Sequence, residues 1–186
     1  MAPFALRGDS RPITKLPMNQ LSDLALLGVG AVALLAVYLL RVFWGWRAVV
    51  APPVPENAII VDGSNVMHWG GDPSLQVLTG VIHKITDLDL TPVVVFDASV
   101  GHRLMGRYMH GDAMAKLIGL PAAHVYVVHK GVVADEVILD LAQTHGLKVV
   151  SNDRFRDWSV KFPLVKTKGR MMRGTWKGGN VVWAKR

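Results

Sequence analysis

The chain has 186 residues, a formal net charge of +7 and no cysteine. That length holds one ordinary domain and an appendage, and the absence of thiols excludes disulfides and thiolate metal sites. The charge is uneven: no acid occurs from Trp158 to Arg186, whereas Lys161, Lys166, Lys168, Arg170, Arg173, Lys177, Lys185 and Arg186 are basic. A one-signed segment of this kind suits a polyanion such as nucleic acid, or an anionic membrane surface.

Residues 1–23 are polar, broken by Pro3, Pro12 and Pro17, and read as a tail. Leu24 to Leu40 is an unbroken apolar run, and the apolar character resumes after Arg41 through Trp46. About 20 apolar residues cross a bilayer core, so residues 24–46 are expected to form one transmembrane helix. Arg41 snorkels near its end, and Tyr38, Trp44 and Trp46 form an interfacial belt. A buried soluble helix fits less well because the run is apolar on every face. A cleaved signal peptide also fits less well, since the small-residue exit near Ala51 meets Pro52 and Pro53 at once. Basic residues on the two sides nearly balance and do not orient the span. Gly28, Gly30 and the neighbouring alanines allow self-packing and hence a homodimer. Residues 47–56 read as a short Pro-rich linker, and residues 57–186 as a soluble domain with a basic C-terminal segment over about 158–186.

From Asn57 the pattern alternates between strand and helix. Ala58-Ile59-Ile60-Val61 is a buried, parallel-type strand running into Asp62, Gly63, Ser64 and Asn65. Leu75 to Leu88 carries a helical stripe at Leu75, Leu78, Ile82 and Ile85. Thr91 to Phe96 is a second buried strand ending in Asp97. His102 to Ile118 is expected to be helical in part, Ala123 to Val128 a short strand, and Asp135 to His145 a helix ended by Gly146. Leu147 to Val150 is another buried strand, followed by Ser151-Asn152-Asp153. Repeated strand–helix–strand order implies an α/β fold with a mostly parallel sheet. Near the C-terminus, Lys177-Gly178-Gly179-Asn180 predicts a turn before a final strand over Asn180 to Ala184, with Val182 inward and Trp183 outward. Trp176 and Trp183 among cations are otherwise placed to stack bases.

Asp62, Asp97 and Asp153 each lie at or just beyond a buried strand end, and open parallel sheets place their chemistry at that edge. Asp135 opens a helix, where a capping role is the plainer explanation. Asp157 follows Asp153 by four residues, so a helix beginning there would put both on one face. Converging carboxylates repel unless a cation neutralises them, and an oxygen-only donor set suits Mg²⁺ or Mn²⁺.

These residues carry a resemblance. Val61-Asp62-Gly63-Ser64-Asn65, then Ala134-Asp135-Glu136, then Ser151-Asn152-Asp153-Arg154-Phe155-Arg156-Asp157 resemble the PIN-like NYN nucleases, most closely the Regnase (MCPIP)-type ribonuclease domain, over about Asn57 to Phe162. The resemblance implies a PIN-like, Rossmann-like three-layer sandwich, preceded here by the transmembrane helix, and a Mg²⁺-dependent endoribonuclease. It implies Asp62, Asp135, Asp153 and Asp157 as catalytic, metal-binding acids, Asn65 as the supporting amide, and products with a 5′-phosphate and a 3′-hydroxyl. Asp97 is similar to an acid of the related flap-endonuclease branch and joins the metal-site candidates. Two features depart from the pattern: Ala134 stands where the Regnase type has the first of two aspartates, leaving Glu136 or Asp97 as substitutes, and no zinc finger is present.

The expected function is therefore a membrane-anchored, metal-dependent ribonuclease that hydrolyses phosphodiester bonds of single-stranded RNA, with its soluble domain in the cytoplasm. The alternative is a membrane-tethered RNA-binding module without catalysis. Ser64, Arg103, Arg107, Arg154 and Arg156 are the substrate-binding candidates, with Ser64 also readable as a turn hydroxyl and each arginine as a solvated surface charge. His68 lies near the site in sequence and is as readily structural.

Overall fold

The computed structural model describes residues 29–39 and 54–185. The chain divides into two units, Met1–Val50 and Ala51–Arg186. In the first, residues 29–39 form helix α1, whose Val29, Val32, Leu34, Leu35, Val37, Tyr38 and Leu39 are exposed. This stretch is about half the roughly 20 residues that a membrane span takes. The rest of the expected 24–46 span lies outside the described residues. Among the described residues no helix is long and apolar enough to cross a membrane.

The second unit is built on five short strands, β1 (Ala58–Asp62), β2 (Thr91–Phe96), β3 (Val125–Val127), β4 (Lys148–Val150) and β5 (Met171–Met172). They lie in the order β3-β2-β1-β4-β5, and every pairing is parallel. Strand residues alternate between two faces, and the core divides by that alternation. Ile59, Val61, Val94 and Phe96 join one buried cluster with Leu78, Ile85 and Met114, while Ala58, Ile60, Val93 and Val95 join a second with Ile138, Leu141 and Phe162. Burial on both faces explains the runs AIIV and PVVVF, which carry no polar alternation. Pro92 is tolerated because it lies near the start of β2, before β3 begins opposite Val94.

Helices α2 (Gly63–Val66), α3 (Leu75–Thr86), α4 (Val100–Met105) and α5 (Gly111–Ile118) supply one layer, and α6 (Ala134–Thr144) supplies the other. The result is the expected α/β architecture, here with a wholly parallel main sheet. The stretch His102 to Ile118, expected to be helical in part, is shared between two helices, because α4 ends at Gly106 in the left-handed conformation, φ 68°. Gly63 sits where α2 presses on β2. A Cβ built there would lie 2.3 Å from the Phe96 ring and 2.7 Å from Val94, both fully buried. Gly63→Ala is therefore expected to cost about 3 kcal/mol through overpacking, read as a lowered denaturation midpoint; a wild-type midpoint would contradict this packing.

Beyond β5 the chain closes with an antiparallel hairpin, β6 (Gly174–Lys177) and β7 (Asn180–Trp183). Gly178 and Gly179 both have positive φ, 55° and 79°, as a two-residue type I′ turn requires. The facing expected for β7 is reversed. Val182 is half exposed, while Trp183 packs on the core and meets Trp69 edge-on with ring centroids 6.1 Å apart. Trp176 is seated over α3, so close to Gly80 that a Cβ there would stand 2.5 Å from its ring. Both tryptophans thus pin the hairpin to the domain.

Candidate active site

The chain runs from β1 outward through β2 to β3, then returns to the other side of β1 for β4. The crevice beyond the carboxyl ends of β1 and β4 is therefore a topological switch point, where open parallel sheets take their ligands. Asp62 is the last residue of β1 and is only 6% exposed. Val61 is level with Val150 of β4, which brings Ser151 beside Asp62. The Ser151 hydroxyl donates to Asp62 Oδ2 at 2.8 Å, and the Asn65 backbone N–H donates to Asp62 Oδ1 at 3.0 Å. Both carboxylate oxygens are thus held, and each retains a lone pair for a further partner.

Burial raises the Asp62 pKa from 3.8 to about 6; Ser151 and the Asn65 N–H oppose the shift, and the negative charges of Asp135 and Asp153 add to it. Asp135 is also raised, first by burial and then by Asp153, with Trp158 acting in the opposite direction. Three of the predicted acids, Asp62, Asp135 and Asp153, accordingly sense one another. Asp135 does not cap α6: the cap is Val133, without a side-chain bond, and Asp135 stands in the first turn, where its charge suits the helix dipole.

The segment after β4 does not begin the helix that would have put Asp153 and Asp157 on one face. A 3₁₀ turn spans Arg156–Trp158, so Asp153 and Asp157 do not share a helical face. Phe155 is buried, 2% exposed, with φ 47°, a conformation that costs a bulky residue about 1–3 kcal/mol. Its N–H donates to Asp153 Oδ1 at 2.7 Å, and the Asp153 N–H donates to Ser151 Oγ at 3.0 Å. Buried Phe155 and these bonds fix the acid-bearing loop. Asp153 and Asp157 are exposed on it.

Asp97 stands apart. The register sets Asp62 opposite Val95, which leaves Asp97 two residues further out. Ser99 donates to its Oδ1 from N–H at 2.8 Å and from Oγ at 2.5 Å, and Arg103 Nη1 lies 3.5 Å from Oδ2. Burial pushes this carboxyl upward, but the bonds from Ser99 and Ser64 together with the Arg103 charge prevail and lower it. The Ser64 hydroxyl accepts from the Asp97 N–H at 2.9 Å, tying α2 to the end of β2. Glu136 is paired with Lys161. Asp97 and Glu136, the two substitutes considered for Ala134, are thus each engaged with a cation of their own, Arg103 and Lys161. Arg107, Arg154 and Arg156 are exposed and take part in none of the ion pairs among the described residues.

Asn65 is the centre of a network that sequence patterns do not signal. Its Oδ1 accepts from Trp69 Nε1 at 3.0 Å and from the Asn152 N–H at 2.9 Å. The Asn152 side chain bonds Gly174 on both sides, donating to its carbonyl at 2.8 Å and accepting from its N–H at 3.2 Å. The C-terminal hairpin is thereby joined to the switch point.

An all-carboxylate donor set suits a hard divalent cation, and such a cation would relieve the repulsion from Asp135 and Asp153 that adds to the effect of burial on Asp62. Among the described residues no group of three or more His, Asp or Glu is close enough to hold a metal ion. Asp62, Asp135 and Asp153, whose charges act on one another here, are the candidates to hold one.

Comparison with known proteins follows the same lines. No curated protein matches the chain. The chain is similar to Arabidopsis thaliana nuclear protein-only RNase P 2, with a TM-score of 0.56 and 20% identity over 82% of this chain and 35% of that one. A crystal structure of nuclear proteinaceous RNase P 2 from A. thaliana gives a TM-score of 0.56 and 21% identity over 83% and 34%. This chain spans about a third of the length of those structures, and the likeness is one of fold. The Zc3h12a-like Ribonuclease NYN domain family matches residues 55–184, the stretch that contains every acid of the switch point, and the chain belongs to that family.

Proposed function

We propose that the protein is a metal-dependent endoribonuclease acting on single-stranded RNA. The observation that carries this reading is Asp62: a buried carboxylate at the switch point, its pKa raised to about 6 by burial with Asp135 and Asp153 adding to it. Mg²⁺ or Mn²⁺, when bound, supplies charge neutralisation at the phosphoryl oxygens and at the leaving alkoxide. The chain's own residues orient the reaction. Ser151 and the Asn65 N–H hold Asp62 in one rotamer, where its carboxylate can take the proton of the attacking water. That oxygen forms a bond to phosphorus as the bond to the ribose 3′-oxygen breaks, leaving a 5′-phosphate and a 3′-hydroxyl. The Asn65 side-chain N–H₂ has no partner among the described residues and is available to a phosphate oxygen. Exposed Arg154 and Arg156, on the loop with Asp153, and Arg107 contribute positive charge for flanking phosphates. In the same reading Asp157 supports the metal site from the 3₁₀ turn, and Ser64 and Arg103 act near substrate through Asp97.

Residues 24–46 are proposed as a membrane tether that leaves the domain in the cytoplasm and allows homodimerisation; a C-terminal reporter active only outside the cytoplasm, or a monomeric mass in mild detergent, would remove the corresponding part. A second reading, an RNA-binding module without catalysis, draws support from Ala134, which leaves Asp135 as the only aspartate in the first turn of α6. The deciding experiment follows labelled single-stranded RNA with Mg²⁺, Mn²⁺ or EDTA. Cleavage is expected with either ion and is lost in EDTA. Binding without cleavage under all three conditions selects the second reading.

A further inference from the structure

Lys168, Arg173 and Lys185, with Met171, Met172 and Trp183, line an open groove of about 430 Å³. It lies beside β5, the edge strand of the main sheet, and is closed by the end of the hairpin, where the Ala184 N–H donates to the Arg173 carbonyl at 2.8 Å. The three cations are exposed, and none belongs to an ion pair among the described residues. No carboxylate lies in the chain segment that forms the groove, because acids are absent from Trp158 onward. At its inner end, Arg173 Nη2 donates to the backbone carbonyl of Asp153 at 3.4 Å, so the groove starts at the acid-bearing loop. Trp183 is committed edge-on to Trp69, which leaves the groove with cations and aliphatic floor rather than a free stacking face.

We propose that this groove carries the single-stranded RNA that flanks the cleaved bond, with backbone phosphates on Lys168 and Lys185 and Arg173 at the join to the acids. The proposal rests on the ribonuclease reading for its direction toward the site, but its binding test is independent of cleavage. Because its contacts are to phosphate, the groove is tolerant of base identity and sensitive to salt.

The test uses the full chain in mild detergent carrying Asp62→Asn to prevent cleavage, with anisotropy of a labelled oligoribonucleotide measured across a salt series. Lys168→Glu with Lys185→Glu is expected to weaken binding about tenfold or more at low salt and to reduce the log–log salt slope by about 1.4, two contacts at roughly 0.7 each for a single strand. The milder Lys168→Gln with Lys185→Gln moves both quantities in the same direction with an unchanged melting midpoint. With Asp62 intact, KM rises for a long RNA and stays level for one too short to leave the acids. Unchanged affinity and slope in both pairs overturn the proposal, as does loss of binding to anionic vesicles while RNA binding is retained. A chain that binds through these lysines but never cleaves overturns the ribonuclease reading and leaves the groove standing.

Discussion

Asp62→Asn is expected to stabilise the domain at neutral pH in metal-free buffer while lowering RNA cleavage by about three orders of magnitude. Wild type carries an ionised carboxylate that is 6% exposed, and its pKa is raised from 3.8 to about 6, chiefly by burial. A shift of about two units corresponds to roughly 3 kcal/mol of destabilisation once the group is ionised in both states. Asparagine keeps the acceptor for the Asn65 N–H and turns an N–H toward the Ser151 hydroxyl, so most of this is recovered. The expected gain is about 2 kcal/mol, or roughly 5 °C in the melting midpoint.

The direction in pH follows from the raised pKa. The folded state holds this proton more tightly than the unfolded state, so the contribution to stability is complete below 3.8 and is lost as pH rises through about 6. Asp135 is raised and acts in the same sense, whereas Asp97 is lowered and acts in the opposite one. The informative quantity is therefore the difference between wild type and variant, which grows from pH 4 to pH 6 and is flat above. Denaturant titrations across that range measure it. An Asp62→Asn protein less stable than wild type throughout, or a difference independent of pH, would show that burial does not load this carboxylate. Added Mg²⁺ should narrow the gap by stabilising wild type more than the variant. A function that depends on a carboxylate too costly to leave unpaired is expected to trade stability for activity in this way.

Those same carboxylates mark the limit of what the sequence discloses. Buried β-branched runs announce β1, β2 and β4 to within a residue, because no other element of that length is apolar on both faces. The acids that end those runs are visible for the same reason. Their separation is not: whether Asp97 lies beside Asp62 depends on strand register, and a run such as TPVVVF contains nothing that fixes register against its neighbour. Asp97 instead resolves into a local cluster with Ser99 and Arg103. The facing of β7 was open to the same ambiguity, since Val181, Val182 and Trp183 are all apolar and either phase satisfies the pattern. What decided it is the Trp69 ring across the domain. The condition under which Asp153 and Asp157 would share a helical face is not met, because Phe155 packs in the second core cluster with positive φ, a tertiary demand with no local trace. The Gly146 stop after α6, by contrast, was legible as a helix end.

Asn65 is expected to matter as much through what it accepts as through what it offers to substrate, and two substitutions separate these roles. Asn65→Ala removes the acceptor for both Trp69 Nε1 and the Asn152 N–H. Two donors lose their partner, which costs about 2 kcal/mol or more, and the loop holding Asp153 loses one of its ties. Trp69→Phe leaves Asn65 in place and keeps an aromatic ring against Trp183 and Gly174, but deletes the indole N–H that orients the amide. Its stability loss should stay near 1 kcal/mol. If the amide must point at the substrate, kcat should still fall about 10-fold to 100-fold with little change in KM, since a displacement of about 1 Å in a positioning group has effects of that order. A merely structural tryptophan would instead lower the melting midpoint while leaving kcat per folded molecule intact, and that outcome would remove Trp69 from the positioning machinery. The geometry argues against it. The indole reaches the amide from one side, and Asn152 reaches it from the other while gripping Gly174 at the start of the hairpin. RNA held on the proposed groove would therefore act on a segment bonded, through Asn152 and Asn65, to the N–H that holds Asp62.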